Sequence, residues 1–481
     1  MSSDGEPVAV ARRVTATGPV CDHCLGRVFA DRSFGLGNAE RGRAMRTALA
    51  LADDEPYDPP EPADCWVCEG LYEHVDRFAA RAVAAVADHE FATYQVGSRV
   101  SGLLEENDRL LRADAGLDPE AGEPARKELN REIGKRIADL TGAEVDFERP
   151  HVQFLVDTTA DSPEPTAHDA LHATTDESGE QSDGTDESGE RSNETGESGE
   201  SGAESSPEPL GRVEATVNSA FVYGRYRKLE RGVPQTEWPC SDCEGTGRDA
   251  GRACPACDGT GYRYRESVEQ LTAPVVERVM DGVGSSFHGA GREDVDARML
   301  GTGRPFVVEV AEPRRRAVDT ARLEADVNAF ADGTVEVEGL RRCRHTMVER
   351  VKELPASKQY RAEVAFDTDV SSDALAAAVE RLSGATIEQY TPNRVDHRRA
   401  GKTRTREAYE VTADREGPRA ATVEIHGEGG LYVKELVSGD EGRTEPSLAG
   451  ELGVGAEVTA LDVVAVEGED EPFEDEAYFL D

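Results

Sequence analysis

Chemistry is most legible in one acidic turn, Gly291-Arg292-Glu293-Asp294-Val295-Asp296-Ala297-Arg298-Met299-Leu300-Gly301, which leads into the strand-like run Phe306-Val307-Val308-Glu309-Val310. An aspartate close behind an arginine in a glycine-flanked turn can hold a carboxylate in the open beside a fixed cation. Asp294 is therefore the candidate nucleophile. The alternative is a surface loop carrying an ordinary ion pair of about 0.5 kcal/mol. Asp296 is the second candidate carboxylate, because it shares a side with Asp294 if the segment is extended.

The nine cysteines form the second set of chemistry-bearing residues. Cys21-Asp22-His23-Cys24 and Cys65-Trp66-Val67-Cys68 are two C-x2-C knuckles, each offering two sulfurs to one tetrahedral zinc ion. His23, inside the first knuckle, reads as a neighbour of the ligands or a solvent-facing side chain. A second quartet is more compact: Cys240-Ser241-Asp242-Cys243-Glu244-Gly245-Thr246-Gly247 and Cys254-Pro255-Ala256-Cys257-Asp258-Gly259-Thr260-Gly261. Its glycines permit tight turns that point backbone N–H groups at thiolates. These units are similar to those of bacterial-type J-domain chaperones, but the chain has two of them and no J-domain. Cys343 is left over and reads as a buried or neutral thiol.

Composition bounds the rest. The chain has 481 residues, a formal charge of −43 and 37% hydrophobic residues, enough for several domains. Between Asp157 and Pro209 there are 16 acidic residues and one arginine, yet acidity also runs through the remainder. Such a surface suits work in concentrated salt. At molar salt the Debye length is about 3 Å, so distant acidic charge does not exclude an RNA partner. No long apolar run or signal peptide is present, and the chain reads as cytoplasmic with no membrane partner.

The positioning elements follow from periodicity. Helical spacing covers Glu69 to Ala87 and Arg126 to Leu140, while Phe91–Val96, Val145–Phe147 and Val152–Val156 read as strands around Arg149-Pro150-His151. The segment 157–209 repeats Asp-Glu-Ser-Gly-Glu without apolar positions and reads as a disordered linker. It divides residues 1–156, a small α/β domain, from 210–481. After it come the strand Val213–Val217 and the basic-aromatic stretch Phe221-Val222-Tyr223-Gly224-Arg225-Tyr226-Arg227-Lys228. That stretch suits either RNA stacking or an ordinary strand with a basic face. Val275–Met280 reads as a short helix with Pro274 in its first turn, and Lys358–Phe366 as an alternating strand. Arg394, Arg398, Arg399, Lys402, Arg404 and Arg406 stand against one acid, Asp396, a nucleic-acid signal in so acidic a chain. Gly429–Asp440 carries an alternating strand-to-helix pattern that puts Tyr432 and Lys434 on the same face if extended.

Together, Gly291-Arg292-Glu293-Asp294, Lys358-Gln359-Tyr360-Arg361 and Leu431-Tyr432-Val433-Lys434-Glu435 resemble the archaeal tRNA pseudouridine synthases that act at positions 54 and 55 of tRNA. Cys21/Cys24 with Cys65/Cys68 and Arg149-Pro150-His151 agree with the resemblance. It implies an α+β protein with a zinc-bearing, THUMP-type RNA-binding domain over 1–156. Residues 210–481 would form a pseudouridine synthase domain on a mostly antiparallel sheet. The acidic linker and the knuckles at 240–261 are departures, the second reading as a structural clip or an RNA-facing knob. The resemblance makes Asp294 the catalytic carboxylate, favoured over Asp296 by the Gly-Arg-Glu-Asp order. Lys434 is the cation set against it, and Tyr360 stacks on the flipped base. Tyr432 lines the uracil pocket, and Arg292 inserts into RNA or holds phosphate. Flipping the T-loop uridine costs a few kcal/mol. No organic cofactor and no obligatory protein partner are implied, only structural zinc at one or two sites. The competing reading, a zinc-stapled RNA-binding protein without catalysis, leaves Asp294, Tyr360 and Lys434 unexplained.

Overall fold

Residues 6–159, 211–392 and 401–480 are described by a computed structural model. They fall into two units, Met1–Val217 and Asn218–Asp481. In the first, helices α1 (Pro7–Thr15), α2 (Asp22–Arg27), α3 (Asn38–Asp53) and α4 (Val75–Ala84) precede strand β1 (Thr93–Arg99). Then come α5 (Gly102–Asp114), α6 (Ala125–Thr141), β2 (Glu144–Val145), β3 (Val152–Asp157) and β4 (Arg212–Val217). The sheet order is β2-β1-β3-β4, with β1 parallel to β2 and β3, and β4 antiparallel to β3.

The apolar stripe read at 69–87 is the inner face of α4, where Val75, Phe78, Ala79 and Ala82 are buried. In α6 the corresponding set is Leu129, Ile133 and Ile137, and the helix stops at Gly142, whose φ of 72° is left-handed. Two expectations change. The strand at 145–147 shrinks to Glu144–Val145 because the Asp146 carboxylate accepts from the N–H groups of Glu148 and Arg149 and turns the chain. The strand at 213–217, which sequence alone attaches to the second domain, is an edge of the first unit's sheet. The acidic segment expected to link the domains lies, from residue 160 to 210, outside the described residues.

The second unit runs β5 (Ala220–Lys228), β6 (Arg248–Asp249), β7 (Arg252–Ala253), α7 (Val268–Met280), β8 (Gly284–Gly289), β9 (Arg298–Ala311), α8 (Thr320–Ala331) and β10 (Val335–Cys343). It continues with α9 (Thr346–Glu353), β11 (Ala356–Phe366), α10 (Ser372–Leu382), β12 (Ala385–Tyr390), β13 (Thr403–Gly417) and β14 (Ala420–Gly427). It ends with α11 (Val433–Ser438), β15 (Thr444–Glu445), α12 (Leu448–Leu452) and β16 (Ala456–Gly468). The main sheet has the order β10-β5-β9-β16-β11-β14-β13-β12-β15, with β8 also on β9. Every pairing in it is antiparallel except β9 with β16, as expected for the mostly antiparallel sheet.

Strand β9 makes that junction by bending. At Gly301 φ is 56°, and a Cβ there would meet the Val464 carbonyl oxygen at 1.8 Å, so only glycine lets the strand cross. Helix α7 begins seven residues earlier than its apolar pattern suggests. The Ser267 hydroxyl caps it by accepting from Gln270 N at 3.1 Å, which leaves Pro274 inside the helix. The basic-aromatic stretch is strand β5. Its Tyr223, Tyr226 and Lys228 are buried, while Arg225 pairs with Glu474 and Arg227 with Glu336 and Glu338. Those side chains are committed to the sheet, which removes the RNA-stacking alternative.

Candidate active site

The acidic turn is the loop between β8 and β9, and its main chain is held from beneath. Lys228, at the end of β5, is fully buried, and its Nζ donates to the carbonyl oxygens of Val233 (2.8 Å), Asp294 (3.3 Å) and Val295 (3.2 Å). Gly232 N donates to Val295 O at 2.9 Å. Arg231 donates to Asp296 O at 2.8 Å and to Leu461 O at 2.6 Å, and its other guanidinium nitrogen reaches Asp462 Oδ1 at 2.6 Å. Asp462, on β16, is also gripped by Arg298 at 2.6 Å. The loop is thus fixed by its carbonyl oxygens to Lys228 at the end of β5 and to Arg231 and Gly232 just beyond it, and Arg231 is itself held to β16.

Glu293 points the other way, into the core, with a fully buried side chain. A buried carboxylate needs compensation. Tyr226 OH donates to both its oxygens at 2.9 and 3.0 Å, and Gln235 Nε2 lies 3.5 Å away. The Arg304 guanidinium is 3.1 Å off and Lys228 Nζ 3.9 Å. Arg304 also donates to Ala290 O at 2.7 Å. Burial lowers the Lys228 pKa and the Glu293 carboxylate offsets part of that. Burial and the same carboxylate drive Tyr226 well above its ordinary value, so it stays a neutral donor.

Above this layer lies a cavity of about 230 Å³ lined by Arg292, Asp294, Tyr360, Tyr432 and Lys434, with Lys358 at its edge. Lys434 Nζ is 3.4 Å from Asp294 Oδ2 and 2.8 Å from Asp296 Oδ2. Asp294 lines the cavity, whereas the Asp296 side chain is 69% exposed and does not. Tyr360 sits on β11 opposite Ile425 and Val463 and is buried. Tyr432 and Lys434 reach the cavity where the strand-to-helix pattern turns helical. Residue 432 is the N-cap of α11, with its N–H donating to Gln389 Oε1 at 2.8 Å, and Lys434 lies in the first turn. Arg292 is exposed at the rim, its guanidinium 4.9 Å from the Trp238 ring centroid.

Of the basic cluster, Arg394, Arg398 and Arg399 lie outside the described residues. Lys402 is exposed, Arg404 donates to the Thr391 hydroxyl, and Arg406 pairs with Glu428 at 3.2 Å beside Gly430 of the cavity wall.

Both cysteine quartets assemble as their spacing requires. Cys21, Cys24, Cys65 and Cys68 form one group and Cys240, Cys243, Cys254 and Cys257 another, each with its sulfurs within 4.8 Å of one another and all buried. Sulfur separations of 3.6 Å for Cys21–Cys68 and Cys24–Cys65, and 3.8 Å for Cys243–Cys257, match the edge of about 3.8 Å that a tetrahedron with metal–sulfur bonds of about 2.3 Å requires. Either group could hold a metal ion. Arg27 Nη2 donates to Cys24 Sγ at 3.3 Å and Gly261 N to Cys257 Sγ at 3.2 Å, contacts suited to thiolates. In the second group Gly247 has φ 68°, and a Cβ there would strike Gly259 O at 2.3 Å. His23 is not a ligand: its Nδ1 bonds Glu128 at 2.8 Å and its ring stacks on Tyr72. Cys343 is buried, and burial pushes its thiol up to about 12.

Sequence reasoning missed Lys228, Tyr226, Glu293, Arg304, Arg231 and Trp238. Lys228 and Tyr226 were visible only as parts of a basic strand, Glu293 only as a member of the Gly-Arg-Glu-Asp motif with no role of its own, and nothing local tied the others to residue 294.

Residues 221–467 match the family model described as "Pus10, C-terminal", and residues 78–157 match "Pus10 THUMP domain, archaeal". The chain is 62% identical over 470 residues to the tRNA pseudouridine synthase Pus10 of Halorubrum lacusprofundi, covering 98% of each chain. It is 38% identical over 486 residues to the Pus10 protein of Methanothrix thermoacetophila, covering 96% of this chain and 94% of that one. Among solved structures, a Cbf5-Nop10-Gar1 complex aligns with 44% of this chain and 47% of that one at 19% identity and a TM-score of 0.27, a likeness that adds nothing to the assignment. On the full-length relatives and the two family models, this chain belongs to the Pus10 family of tRNA pseudouridine synthases.

Proposed function

We propose that the chain isomerises uridines 54 and 55 in the T-loop of tRNA to pseudouridine, with Asp294 as the catalytic carboxylate. The observation that carries this is the convergence of Asp294, Lys434, Tyr360 and Tyr432 on one cavity of about 230 Å³. That is room for a single flipped base, below the roughly 300 Å³ at which pockets take drug-sized ligands. In the reaction the N1–C1′ bond breaks, the uracil turns, and a C5–C1′ bond forms. C5 loses a proton and N1 gains one, so no electrons are exchanged and no organic cofactor is needed. Asp294 acts at the sugar–base junction. Lys434, 3.4 Å away, aims its carboxylate. Tyr360 stacks on the base with its hydroxyl placed to assist departure of the C5 proton. Tyr432 closes the uracil pocket, and Arg292 enters the RNA or holds its phosphate.

Arg394, Arg398, Arg399, Lys402 and Arg404 contact the tRNA backbone in this reading. Each cysteine quartet holds a structural zinc ion, which would fix the small folds around it and take no part in the chemistry. The protein works in the cytoplasm; among the described residues no helix is long and apolar enough to cross a membrane.

The test is chemical mapping of pseudouridine in one tRNA transcript treated with the wild-type protein or with Asp294→Ala. The expected result is modification at 54 and 55 with the wild type, and tRNA binding without modification for the variant. Activity retained by Asp294→Ala overturns the catalytic assignment, and modification confined to other positions overturns the substrate assignment.

A further inference from the structure

We propose that Trp238 is a positioning residue, a perch that holds Arg292 at the cavity rim in the place from which it meets the RNA when a uridine is flipped. The Arg292 guanidinium lies 4.9 Å from the indole centroid. Arg263 lies 5.6 Å from the same ring, and Tyr264 meets it edge-on at 5.3 Å. The indole is therefore held by residues that directly follow the knuckle and offers Arg292 a stacking partner.

The knuckle sets where that ring stands. Trp238 is the last residue but one before Cys240, and the neck of the cysteine fold closes at this point. Arg263 N donates to Trp238 O at 2.8 Å, Cys240 N to Gly261 O at 2.8 Å, and Pro239 bridges Tyr262. Below the neck, Glu237 N donates to Glu269 on α7 at 3.1 Å. The neck is thus tied to the four cysteines on one side and to a core helix on the other. Arg292 is on the catalytic loop, two residues before Asp294, and its backbone neighbour Glu293 is buried in the core. The loop fixes the root of Arg292 while the perch selects where its end lies.

A guanidinium over a half-buried aromatic ring is held by its face, so its N–H groups can turn to a base or a phosphate without leaving the ring. The contact also survives concentrated salt better than a remote charge pair, since at a Debye length of about 3 Å only groups in contact still feel one another. The knuckle then acquires a role in the reaction without touching substrate. It presents Arg292 in one place, so fewer orientations must be searched when tRNA arrives. Losing the perch lowers the population of the competent arrangement, and the apparent affinity falls by that fraction.

This inference rests on the tRNA reading above, and its tests separate the two. Trp238→Leu is expected to raise KM for a tRNA transcript by about 3- to 10-fold, with the single-turnover rate at saturating tRNA changed by less than about 2-fold. Trp238→Phe, which keeps an aromatic face, falls between Trp238→Leu and the wild type. In an Arg292→Ala background, Trp238→Leu should add nothing to KM, because the two residues act through one contact. Independent effects in that double-mutant cycle overturn the proposal, as does a Trp238→Leu protein with wild-type KM.

A second readout does not need the Trp238 variant to fold. The chain contains two tryptophans, Trp66 and Trp238. Adding tRNA should change the emission of the wild-type protein but not that of Arg292→Ala, in which this cation is missing from the indole. The same change in both proteins overturns the proposal. A wild-type protein that neither binds nor modifies tRNA overturns the functional reading and the perch with it, whereas an active wild type with an additive cycle overturns the perch alone.

Discussion

Lys434→Met isolates the electrostatics of the cavity. The substitution keeps the apolar stem and removes an ammonium 3.4 Å from Asp294 Oδ2 and 2.8 Å from Asp296 Oδ2. Two unit charges about 3.4 Å apart interact by about 1 kcal/mol in bulk water and about 5 kcal/mol at an effective dielectric constant near 20. The Lys434 and Asp294 side chains are 25% and 32% exposed, which places the pair between those limits, at about 2–3 kcal/mol. If that energy aims the carboxylate in the transition state, the single-turnover rate falls by about 30- to 150-fold. Affinity for tRNA should change by less than about 3-fold, because the ammonium is already engaged by two carboxylates. The assay is pseudouridine formation in a transcript under single turnover, with binding measured separately and both repeated in low and in molar salt. The rate deficit should persist in molar salt, since no ion fits between groups in contact and screening acts over separation. A rate within about 3-fold of wild type, or a loss that appears wholly in binding, refutes the reasoning.

Asp294→Asn should reduce the rate by at least about 10³-fold, while Asp296→Asn, which leaves Lys434 to Asp294 alone, should stay within about 3-fold of wild type; the reverse ranking would make Asp296 the nucleophile. Lys228→Met leaves Glu293 short of a cation and three carbonyls short of a donor, so it should destabilise the second unit by about 3–5 kcal/mol, seen as a lower denaturant midpoint at unchanged slope. An unmoved midpoint would show that Lys228 is not the anchor of the loop. Asp108 is held below the usual carboxylate range: burial opposes this, and Arg27 and Arg112 overcome it. Its stabilisation is complete above about pH 4 and is lost as the pH falls through the folded value. The deficit of Asp108→Asn against wild type is thus largest at neutral pH and closes on acidification; a deficit independent of pH between about 7 and 3 contradicts this. Cys24→Ser and Cys254→Ser should each lower bound zinc from about two ions per chain to about one, and unchanged elemental analysis would remove the corresponding site.

The cysteine quartets were fully readable because a two-residue spacing already puts two sulfurs on one side of a turn, and only the pairing of knuckles had to be supplied by the fold. Asp294, Tyr360, Tyr432 and Lys434 were readable as short patterns, and the strand-to-helix pattern around Tyr432 left open only where the chain turns helical. An extended segment and a helix N-terminus both put positions 432 and 434 near a common target, so the side chains converge either way. Helix α3 left little trace, since only Asn38, Gly42 and Leu49 face inward and its apolar period is weak. Strand β4 was attached to the wrong neighbour because pairing with β3 is a property of register, and the local alternation of Val213, Ala215 and Val217 names no partner. Strand β5 shows the same limit in another form. Interleaved tyrosines and cations describe an RNA-binding edge and a central strand equally well, and only burial separates them.

Because Lys228, Gly232 and Arg231 hold the loop at 294–296 by its carbonyl oxygens, the side chains at those positions do not determine the loop's shape. Exchanging them changes reactivity while leaving the receptor for the uridine in place. Catalytic inactivity and substrate capture are therefore separable by single substitutions at residue 294. An inert form of the protein becomes a reagent: immobilised, it would retain the RNAs that the active enzyme releases after turnover, and sequencing them would list its targets.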